Sequence, residues 1–306
     1  MSDDQLERIA GGLLGVAAGD ALGATVEFCS AERIRVEYGV HCEVVGGGAF
    51  GWRPGQGTDD SDLTACVARG YAAGYELHDV AGRFLRWYGG GPRDIGGLTA
   101  LALGWLAEHG DPRRSGAAAS SGDDAGNGSL MRALPTALAR RDGTVRRREA
   151  AEISAITHAD QRCVESCQAY VELGTALLDR LPVPTALERA RAVARHPAVL
   201  DALQTDPRRD VSTLPTTGYV IHSLAAAVWA VQQPASFEQL VVAVVNRGED
   251  ADTTGAIVGG LLGVRDGVTA IPDRWLRKLE YRREFSELAA ALARVRAVTA
   301  GASRTS

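Results

Sequence analysis

The chain has 306 residues, of which 45% are hydrophobic, and its 33 basic and 38 acidic residues give a formal net charge of −5. This length can fill one large core or two smaller ones, and the mixed charge, without a dense basic block, argues against a nucleic-acid-binding surface. No purely apolar stretch of about 18 residues indicates a membrane span, no basic start indicates a secretory signal, and five irregularly spaced cysteines predict reduced thiols in the cytoplasm.

Apolar residues at helical spacing begin near the N-terminus, with Leu6, Ile9 and Leu13. Ser2 and Gln5, around the start of this series, resemble a capping box. The same periodicity predicts further helices at roughly 60–73, 78–88, 97–109, 129–140, 148–157, 161–180, 184–195, 217–232, 236–245, 253–264 and 283–298. Alternating strand patterns are absent, and the segments between the helices are rich in Gly, Pro, Ser and Asp, as turns are.

Neither a fixed-period repeat nor a clear linker divides the chain. The sequence therefore predicts an all-α fold, a single compact orthogonal helical domain covering residues 1–306, with a disordered tail at about 300–306. Two loops stand out, because residues 44–57 contain six glycines and residues 110–128 are small and polar. Flexible surface loops explain both, although binding groups also concentrate in loops.

Two series of glycines recur every four residues. They are Gly11, Gly15, Gly19 and Gly23, and Gly255, Gly259, Gly263 and Gly267. Each glycine inside a helix costs about 1 kcal/mol relative to alanine, so the two series predict central helices whose backbones approach closely. A membrane helix dimer is the alternative, but the first segment is short and carries Asp20.

Glu27 is the first candidate for chemistry along the chain. It lies near the end of the segment 19–28, GDALGATVEF, beside an apolar run. Apolar surroundings can raise the pKa of a carboxyl group and fit it for general acid–base catalysis. A surface glutamate is the alternative.

Two acidic clusters lie far apart in the sequence, and each directly precedes a predicted helix. The first is residues 58–61, Thr-Asp-Asp-Ser, and the second is residues 250–253, Asp-Ala-Asp-Thr. Helix N-capping explains either cluster alone, because Asp, Ser and Thr are preferred caps and carboxylates favour the positive helix end. A cap needs only one such residue, however, and adjacent carboxylates call for a compensating charge.

The side chains of the two clusters offer only oxygen, apart from that of Ala251. Oxygen ligands suit hard cations such as Mg²⁺ and Mn²⁺, and because no histidine or cysteine accompanies the clusters, zinc is disfavoured. A calcium EF-hand fits poorly, since Leu261 stands where the bidentate glutamate belongs. The two clusters together therefore predict a site for divalent cations.

A glycine turn at residues 126–132, GNGSLMR, precedes a predicted helix, and free backbone N–H groups there could bind a phosphate. An ordinary loop-to-helix junction is the commoner explanation of such a turn. His158, at a predicted helix end, is either a structural histidine or a ligand contact, and His222 is interpreted as structural. The sequence contains no Gly-x-Ser-x-Gly elbow, no Walker motif and no dinucleotide-binding glycine motif after a strand.

In this order, the motifs resemble those of the ADP-ribosylglycohydrolase family, which includes the dinitrogenase reductase-activating glycohydrolases and the crystallin J1-like proteins. The matching segments, which span most of the chain, are residues 19–28, 57–61, 126–132, 157–160, 216–224 and 246–256. The motifs TDDS, GNGSLMR and DADTTGA together make a specific signal. Three positions depart from the pattern: Ser61 replaces the usual Thr, His222 stands where many members carry Asp, and Ala125 stands where some members have an aromatic residue.

The resemblance implies an all-helical enzyme with a dinuclear Mg²⁺ or Mn²⁺ site, which hydrolyses the bond between the anomeric carbon of ADP-ribose and an acceptor. It assigns metal ligation, with Asp252 as the bridging carboxylate, to Thr58, Asp59, Asp60, Asp250, Asp252 and Thr253. It implies substrate contacts from Gly126, Asn127, Gly128, Ser129 and His158. Catalysis is assigned to the carboxylates of Glu27, Asp60 and Asp252, and Glu27 resembles the catalytic or gating glutamate of the serine-directed branch of the family.

Two other functions fit the same residues: a two-metal hydrolase of another nucleotide-sugar or phosphate substrate, and a non-catalytic ADP-ribose-binding relative. The intact oxygen clusters favour an enzyme. The implied partner is an ADP-ribosylated protein, nucleobase or small molecule, so nucleic acid is expected only as a modified substrate, and no membrane partner is expected. The sequence leaves open the acceptor, the choice between Mg²⁺ and Mn²⁺, the oligomeric state, and the roles of His222 and of loop 110–125.

Overall fold

Helices form the regular secondary structure of this chain. The computed structural model describes residues 3–302, and within them isolated bridges occur but no β-strand. The helices are α1 Asp3–Gly23, α2 Ala31–Tyr38, α3 Asp59–Ala72, α4 Leu77–Gly89, α5 Gly97–His109, α6 Ser115–Ala119, α7 Leu134–Ala139, α8 Gly143–Ala155, α9 Gln161–Leu178, α10 Val183–Val193, α11 Pro197–Ala202, α12 Val220–Val231, α13 Phe237–Val245, α14 Ala251–Asp266, α15 Asp273–Leu276 and α16 Arg282–Ala302. Short 3₁₀ turns lie at Val211–Thr213 and Val268–Ala270. The all-α fold class is confirmed, and the single domain over residues 1–306 stays a prediction.

Side-chain caps explain where several helices begin. The hydroxyl of Thr58 accepts a hydrogen bond from the backbone N–H of Asp60 at the start of α3 (3.2 Å). Asp160 caps α9 in the same way (2.8 Å). Ser236 and Gln239 form a reciprocal capping box at the start of α13. These contacts satisfy first-turn N–H groups that have no partner within the helix.

The structure corrects the helix predicted at residues 129–140. Residues 129–132 form a turn, and α7 begins only at Leu134. The reason is Pro135, which lacks an N–H and is tolerated in the first turn of a helix but not in its interior. The glycine turn at residues 126–132 therefore does not open a helix directly.

Other helix boundaries also differ from the predictions. The helix predicted at residues 148–157 begins earlier, at Gly143, because Asp142 caps it by accepting from the N–H of Val145 (2.8 Å). Four short helices, α2, α6, α11 and α15, were not predicted, and α6 lies within the predicted loop 110–128. Their four to eight residues are too few to show a helical period.

Helices α1 and α14 pack against each other through their glycines, as the sequence predicts. A Cβ atom added at Gly15 or Gly259 would lie closer than 3.0 Å to the carbonyl oxygen of the other residue. The facing pairs show that the two helices run antiparallel, since they are Gly11 with Gly263, Gly15 with Gly259, and Gly19 with Gly255. Gly267 departs from the prediction, because it ends α14 with a φ of 84° and contributes no such contact of its own.

The sequence predictions also concerned the ends of the chain and its cysteines. Residues 300–302 of the predicted disordered tail belong to α16, whereas residues 303–306, like Ser2 of the predicted capping box, lie outside the described residues. All five cysteines are free thiols, and a cytoplasmic location stays a prediction. Among the described residues, no helix combines the length and apolarity that crossing a bilayer would require.

Candidate active site

The two acidic clusters meet in the folded chain. The hydroxyl of Thr253, in the first turn of α14, donates to Oδ2 of Asp60, in the first turn of α3 (3.2 Å), although 193 positions separate these residues. Glu27, which follows α1, places a carboxylate oxygen within 4.8 Å of oxygens of Asp250 and Asp252. The antiparallel packing of α1 and α14 explains this meeting, because the C-terminal end of α1 lies beside the N-terminal end of α14.

The place where the two acidic clusters and Glu27 meet is called the acidic centre. Several of its carboxylate oxygens are buried without a hydrogen-bond donor. They are Oε2 of Glu27, Oδ1 of Asp60 and Oδ1 of Asp252. A buried carboxylate without a donor is costly, and burial raises the pKa of Glu27 to about 8. Burial also raises the pKa values of Asp60 and Asp252 well above the usual range. A set of oxygen donors with unpaired lone pairs fits Mg²⁺ or Mn²⁺, so these residues fit the predicted metal centre.

Helix capping, the alternative explanation of the two clusters, accounts for only one of them. Thr58 caps α3 and also donates to Oδ2 of Asp60 (3.1 Å). Asp250 stands at the N-cap position of α14, but its side chain makes no capping hydrogen bond. Oδ2 of Asp250 instead accepts from the side-chain amide of Asn127 (2.6 Å). The carboxylate of Asp250 is therefore held in place by Asn127 and does not cap α14.

Asp20 of α1 holds the start of α3 in place. Its carboxylate accepts from the backbone N–H groups of Thr58 (3.1 Å) and Ser61 (3.1 Å), and from the Ser61 hydroxyl. Burial raises the pKa of Asp20 to about 7, while these donors act in the opposite direction. Because Asp20 is fully buried, it positions the first acidic cluster rather than contacting a substrate. Ser61, a departure from the family pattern, keeps the hydroxyl that this contact needs.

A cleft of about 570 Å³ opens onto the acidic centre. Its volume falls within the range of about 300–1,000 Å³ that is typical of small-molecule sites. The predicted site residues that line it are Glu27, Asp59, Gly126, Asn127, Gly128, His158, Asp250, Asp252 and Thr253. Thr58 and Asp60 are buried directly beside these residues, through the hydrogen bonds already described.

Ser129 is the predicted substrate-binding residue that the structure places away from the cleft. Its side chain is buried, and its hydroxyl accepts from the hydroxyl of Ser154 (2.9 Å). Ser129 does not line the cleft. Its observed contacts tie the glycine turn to α8, and a contact between Ser129 and a substrate stays a prediction.

The glycine turn and the segment before α12 form one wall of the cleft. Backbone hydrogen bonds join residues 125–127 to residues 218–220, one of them donated by the N–H of Asn127 (3.0 Å). The side-chain amide of Asn127 donates to both Ser223 (2.9 Å) and Asp250 (2.6 Å). Both amide protons are thus used within the protein, so Asn127 positions Asp250 and offers a ligand only its carbonyl oxygen.

His222 lies behind this wall. Its Nδ1 atom is 2.7 Å from the hydroxyl of Thr217, and Thr217 lines the cleft. Burial lowers the pKa of His222. His222 is therefore a neutral ring, and its hydrogen bond with Thr217 connects it to the cleft.

His158 is held in one orientation by a chain of hydrogen bonds. The fully buried Arg132 donates to Oγ1 of Thr157 (2.6 Å), which lies 2.7 Å from Nδ1 of His158. Arginine can only donate, so Thr157 accepts from Arg132 and its hydroxyl proton is available to Nδ1; we therefore assign the ring proton to Nε2. Burial, and then the charge of Arg132, lower the pKa of His158 to about 3. The ring is therefore a neutral donor, with Nε2 beside Gly126 and Gly128 of the cleft wall.

Helix α5, which the sequence did not assign to the site, also begins at the cleft, as α3 and α14 do. Gly97, Leu98 and Thr99 form the first turn of α5 and line the cleft. Gly96 stands at the N-cap position and no side chain caps this helix. First-turn N–H groups attract anions, so α5 offers the uncapped helix start that was expected after residues 126–132.

Three further cleft residues go beyond the sequence predictions: Phe28, Phe50 and Asp94. Burial, and then the charge of Asp250, raise the pKa of Asp94 to about 6. All three residues lie outside the helices, where no periodicity assigns a direction to a side chain. Glycines beside Phe50 and Asp94 indicate loops, and Phe28 follows the first predicted helix, but no local pattern places these segments at one cleft.

Comparison with known proteins agrees with this geometry. A family model described as ADP-ribosylglycohydrolase matches residues 1–301. The chain is 32% identical to "ADP-ribosylarginine hydrolase Tri1" of Pseudomonas putida (strain GB-1), over 94% of this chain and 78% of that protein. It is also 32% identical to "ADP-ribosyl-[dinitrogen reductase] glycohydrolase" of Rhodospirillum rubrum, over 91% of this chain and 92% of that protein. A solved structure described as "ADP-ribosylglycohydrolase-related protein complex" superposes with a TM-score of 0.84 at 34% identity, covering 96% of this chain and 99% of that chain.

Proposed function

Because this chain belongs to the ADP-ribosylglycohydrolase family, we propose that it removes ADP-ribose from arginine side chains of modified proteins. The bond that breaks joins the anomeric carbon of the ribose to a guanidinium nitrogen, and water supplies the atoms that complete both products. The observation that carries this proposal is the meeting of Glu27, Asp250 and Asp252 within 4.8 Å at one end of the cleft. The arginine acceptor is supported by the relative whose name specifies ADP-ribosylarginine.

Two divalent cations, Mg²⁺ or Mn²⁺, would be held by the oxygen-bearing side chains of the two clusters. The residues proposed for this role are Thr58, Asp59, Asp60, Asp250, Asp252 and Thr253. When bound, such cations polarise a water molecule and orient the ribose hydroxyls. The unpaired buried oxygens of Asp60 and Asp252 support this assignment.

Glu27 is suited to move a proton during this hydrolysis. It follows α1, lines the cleft, and has one oxygen, Oε2, without a donor. Its raised pKa, caused chiefly by burial, makes the Glu27 carboxylate a stronger base than an ordinary glutamate, so in its deprotonated form it takes a proton from the attacking water. The reacting anomeric carbon develops oxocarbenium-like character as the bond breaks, so the neighbouring carboxylates also stabilise positive charge there.

Other residues that line the cleft are suited to bind the rest of ADP-ribose. Nε2–H of His158 donates to an oxygen of the ligand, and the carbonyl oxygen of Asn127 accepts from a hydroxyl. The first turn of α5, at Gly97 and Leu98, faces the diphosphate with backbone N–H groups. These assignments place the ribose at the acidic centre and the nucleotide along the walls.

A panel of defined substrates tests the proposed function. The purified chain is incubated with ADP-ribose linked to arginine, to serine and to a nucleobase, with Mg²⁺ or Mn²⁺ or with a chelator, and released ADP-ribose is quantified by chromatography. We expect release from the arginine-linked substrate, and only when the metal is present. Release from the serine or nucleobase linkage alone would overturn the arginine assignment.

The same samples decide between this function and the two alternatives. Calorimetric binding of ADP-ribose without turnover of any substrate would identify a non-catalytic ADP-ribose-binding protein. Hydrolysis of a different nucleotide-sugar or phosphate ester, with ADP-ribosyl linkages left intact, would identify the other two-metal hydrolase.

A further inference from the structure

Phe28, on the rim of the cleft, has an unusual backbone conformation. Its φ is 60° and its side chain is 66% exposed. Positive φ is a true outlier for a bulky residue, and such strain persists only where the surrounding structure imposes it. Here the N–H of Phe28 donates to the carbonyl of Glu249 (2.7 Å), and Glu249, with a φ of 56°, donates to the carbonyl of Cys29 (2.8 Å). The two strained residues thus hold each other, and an aromatic ring is presented to solvent beside the cleft.

Phe50 forms the second part of this aromatic rim. The rings of Phe28 and Phe50 meet edge to face, with centroids 6.2 Å apart. Phe50 lies near the tip of a tight loop, which is closed by backbone hydrogen bonds between Gly47 and Trp52 in both directions (2.8 and 2.7 Å). Arg93 fastens the loop further by donating to the carbonyl of Phe50 (3.3 Å) and lying over the ring of Trp52 (5.3 Å). The loop that carries Phe50 is therefore braced within the protein itself.

The charge of the cleft complements this aromatic rim. Among the residues that the structure describes, the lining contains acidic side chains but no lysine or arginine. The acidic residues are Glu27, Asp59, Asp94, Glu249, Asp250 and Asp252. Asp94 and Glu249 are not among the proposed metal ligands, and the backbone of Glu249 is hydrogen-bonded to that of Phe28, so acidic groups lie beside the aromatic rim. A guanidinium group matches both features, because it is cationic and its flat face stacks on aromatic rings.

We propose that Phe28 and Phe50 form the acceptor subsite and determine its specificity. One ring stacks on the guanidinium of an ADP-ribosylated arginine and the other supports that ring edge to face, while the carboxylates of Asp94 and Glu249 balance the charge. The enzyme thereby favours arginine-linked over neutral-acceptor substrates. This inference rests on the proposed function and specifies which residues recognise the acceptor.

The variant Phe28→Gly tests the proposal, since glycine adopts a φ of 60° without strain. We expect KM for an arginine-linked ADP-ribosyl peptide to rise roughly tenfold while kcat changes little, as the loss of a stacked cation implies. The dissociation constant of free ADP-ribose should stay at the wild-type value. The melting temperature should stay equal or rise, which separates a lost contact from a damaged fold.

Three matched variants accompany this test. Phe28→Tyr keeps the aromatic face and should retain the wild-type KM. Phe50→Ala should raise KM for the arginine-linked peptide as Phe28→Gly does. Val36→Ala alters an exposed apolar residue of α2 that does not line the cleft, and it should change neither KM nor the affinity for ADP-ribose.

An unchanged KM in Phe28→Gly would overturn the proposal, and so would an equal loss of affinity for free ADP-ribose, which would place the ring on the nucleotide. Failure of the proposed function is a distinct result. If the wild-type chain releases no ADP-ribose from arginine, calorimetry with the intact arginine-linked peptide still decides the inference. Tighter binding of that peptide than of ADP-ribose, lost in Phe28→Gly, supports the subsite, and equal binding of the two ligands ends it.

Discussion

The hydroxyl of Thr157 lies between the buried guanidinium of Arg132 and the imidazole of His158. This hydroxyl determines which ring nitrogen of His158 carries the proton. Replacing Thr157 with Val removes the donor to Nδ1 of His158 and leaves Arg132 short of an acceptor. We expect the affinity for ADP-ribose to fall roughly tenfold, because a buried hydrogen-bonding group left without its partner costs about 1–3 kcal/mol. Calorimetric titration with ADP-ribose measures this loss.

Thr157→Ser is the matched control, because serine keeps the hydroxyl and loses only a methyl group. We expect its affinity for ADP-ribose to stay near that of the wild type. Equal losses in the Val and Ser variants would show that packing, rather than the hydroxyl, explains the effect, and the assignment of the Nε2–H form would then have no functional support.

Asp252 is predicted to be essential for metal binding but not for the fold. Asp252→Asn removes one of several buried carboxylates whose pKa values are raised, so the metal-free variant should melt at or above the wild-type temperature. Its stabilisation by Mg²⁺ or Mn²⁺ and its turnover should both be lost. Thermal melts with and without metal, together with ADP-ribose release, measure the two effects.

Asp62 supplies a control on the same helix as the first acidic cluster. Its carboxylate binds Trp87 (2.8 Å) and Tyr281 outside the cleft. Asp62→Asn should therefore alter stability without abolishing the response to metal. An Asp252→Asn enzyme that still turns over with metal bound would refute the role given to Asp252.

Individual residues differ in how far the sequence could predict their place. The two acidic clusters were recognisable because several oxygen-bearing residues stand together before a helix, which capping alone does not require. Phe28, Phe50 and Asp94 were not assigned to the site, since each lies outside the helices and reaches the cleft only through tertiary packing. The direction of Ser129, likewise, depends on a turn whose geometry no spacing rule specifies.

At the scale of elements, the contact between α1 and α14 predicts a sharp difference between glycines. Gly259→Leu places side-chain atoms against the backbone of α1, and we expect a loss of about 3 kcal/mol or more in the free energy of unfolding. Chemical denaturation of the metal-free protein measures this quantity.

Gly82 of α4 provides the matched comparison, because a Cβ atom there would meet only the end of the Arg86 side chain, at 3.6 Å. Gly82→Ala should therefore stabilise the protein by up to about 1 kcal/mol, the usual gain for alanine in a helix. Equal effects at Gly82 and Gly259 would mean that helix propensity, not close packing, governs both positions.

The elements themselves were predictable where the helical period runs for several turns. Long helices such as α3, α5 and α9 were placed within a few residues of their observed ends. The helix predicted at 129–140 failed because a proline near its middle outweighed the apolar period. Helices of one or two turns carry too few residues for a period to emerge, and tertiary contacts stabilise them instead.

For the whole molecule, the buried acids predict a stability that depends on pH and on metal. In the metal-free chain, burial raises the pKa of Asp20 from 3.8 to about 7 and that of Glu27 from 4.5 to about 8. At pH values between the ordinary and the raised pKa of each group, the folded chain binds more protons than the unfolded chain. The free energy of unfolding therefore falls as pH rises. We therefore expect the melting temperature without metal to decrease between about pH 5 and pH 8.

Divalent cations should reverse this trend, because their ligands must be deprotonated and binding stabilises only the folded chain. The increase in melting temperature on adding Mg²⁺ or Mn²⁺ should thus grow with pH across the same interval. Thermal melts at several pH values, with metal or with chelator, provide the measurement. An increase that is equal at every pH would contradict a metal centre built from these carboxylates.

Residue spacing alone could not predict that the site is assembled from distant segments. Nothing local in residues 58–61 requires them to meet residues 250–253, and the resemblance to a family supplied that expectation. The structure adds the physical cause, since the facing glycine series brings the end of α1 to the start of α14. The glycine periodicity in the sequence therefore reflects the long-range contact between α1 and α14.

This glycine contact also couples the lengths of the two helices. One residue inserted between Gly15 and Gly23 would rotate the rest of α1 by about 100°, turning side chains toward α14 and Glu27 away from Asp252. Four inserted residues would restore the rotation but carry Glu27 about 6 Å along the axis, past the start of α14. Only a matching extra turn in α14 would bring the two carboxylates together again, so insertions and deletions in these helices should occur in pairs.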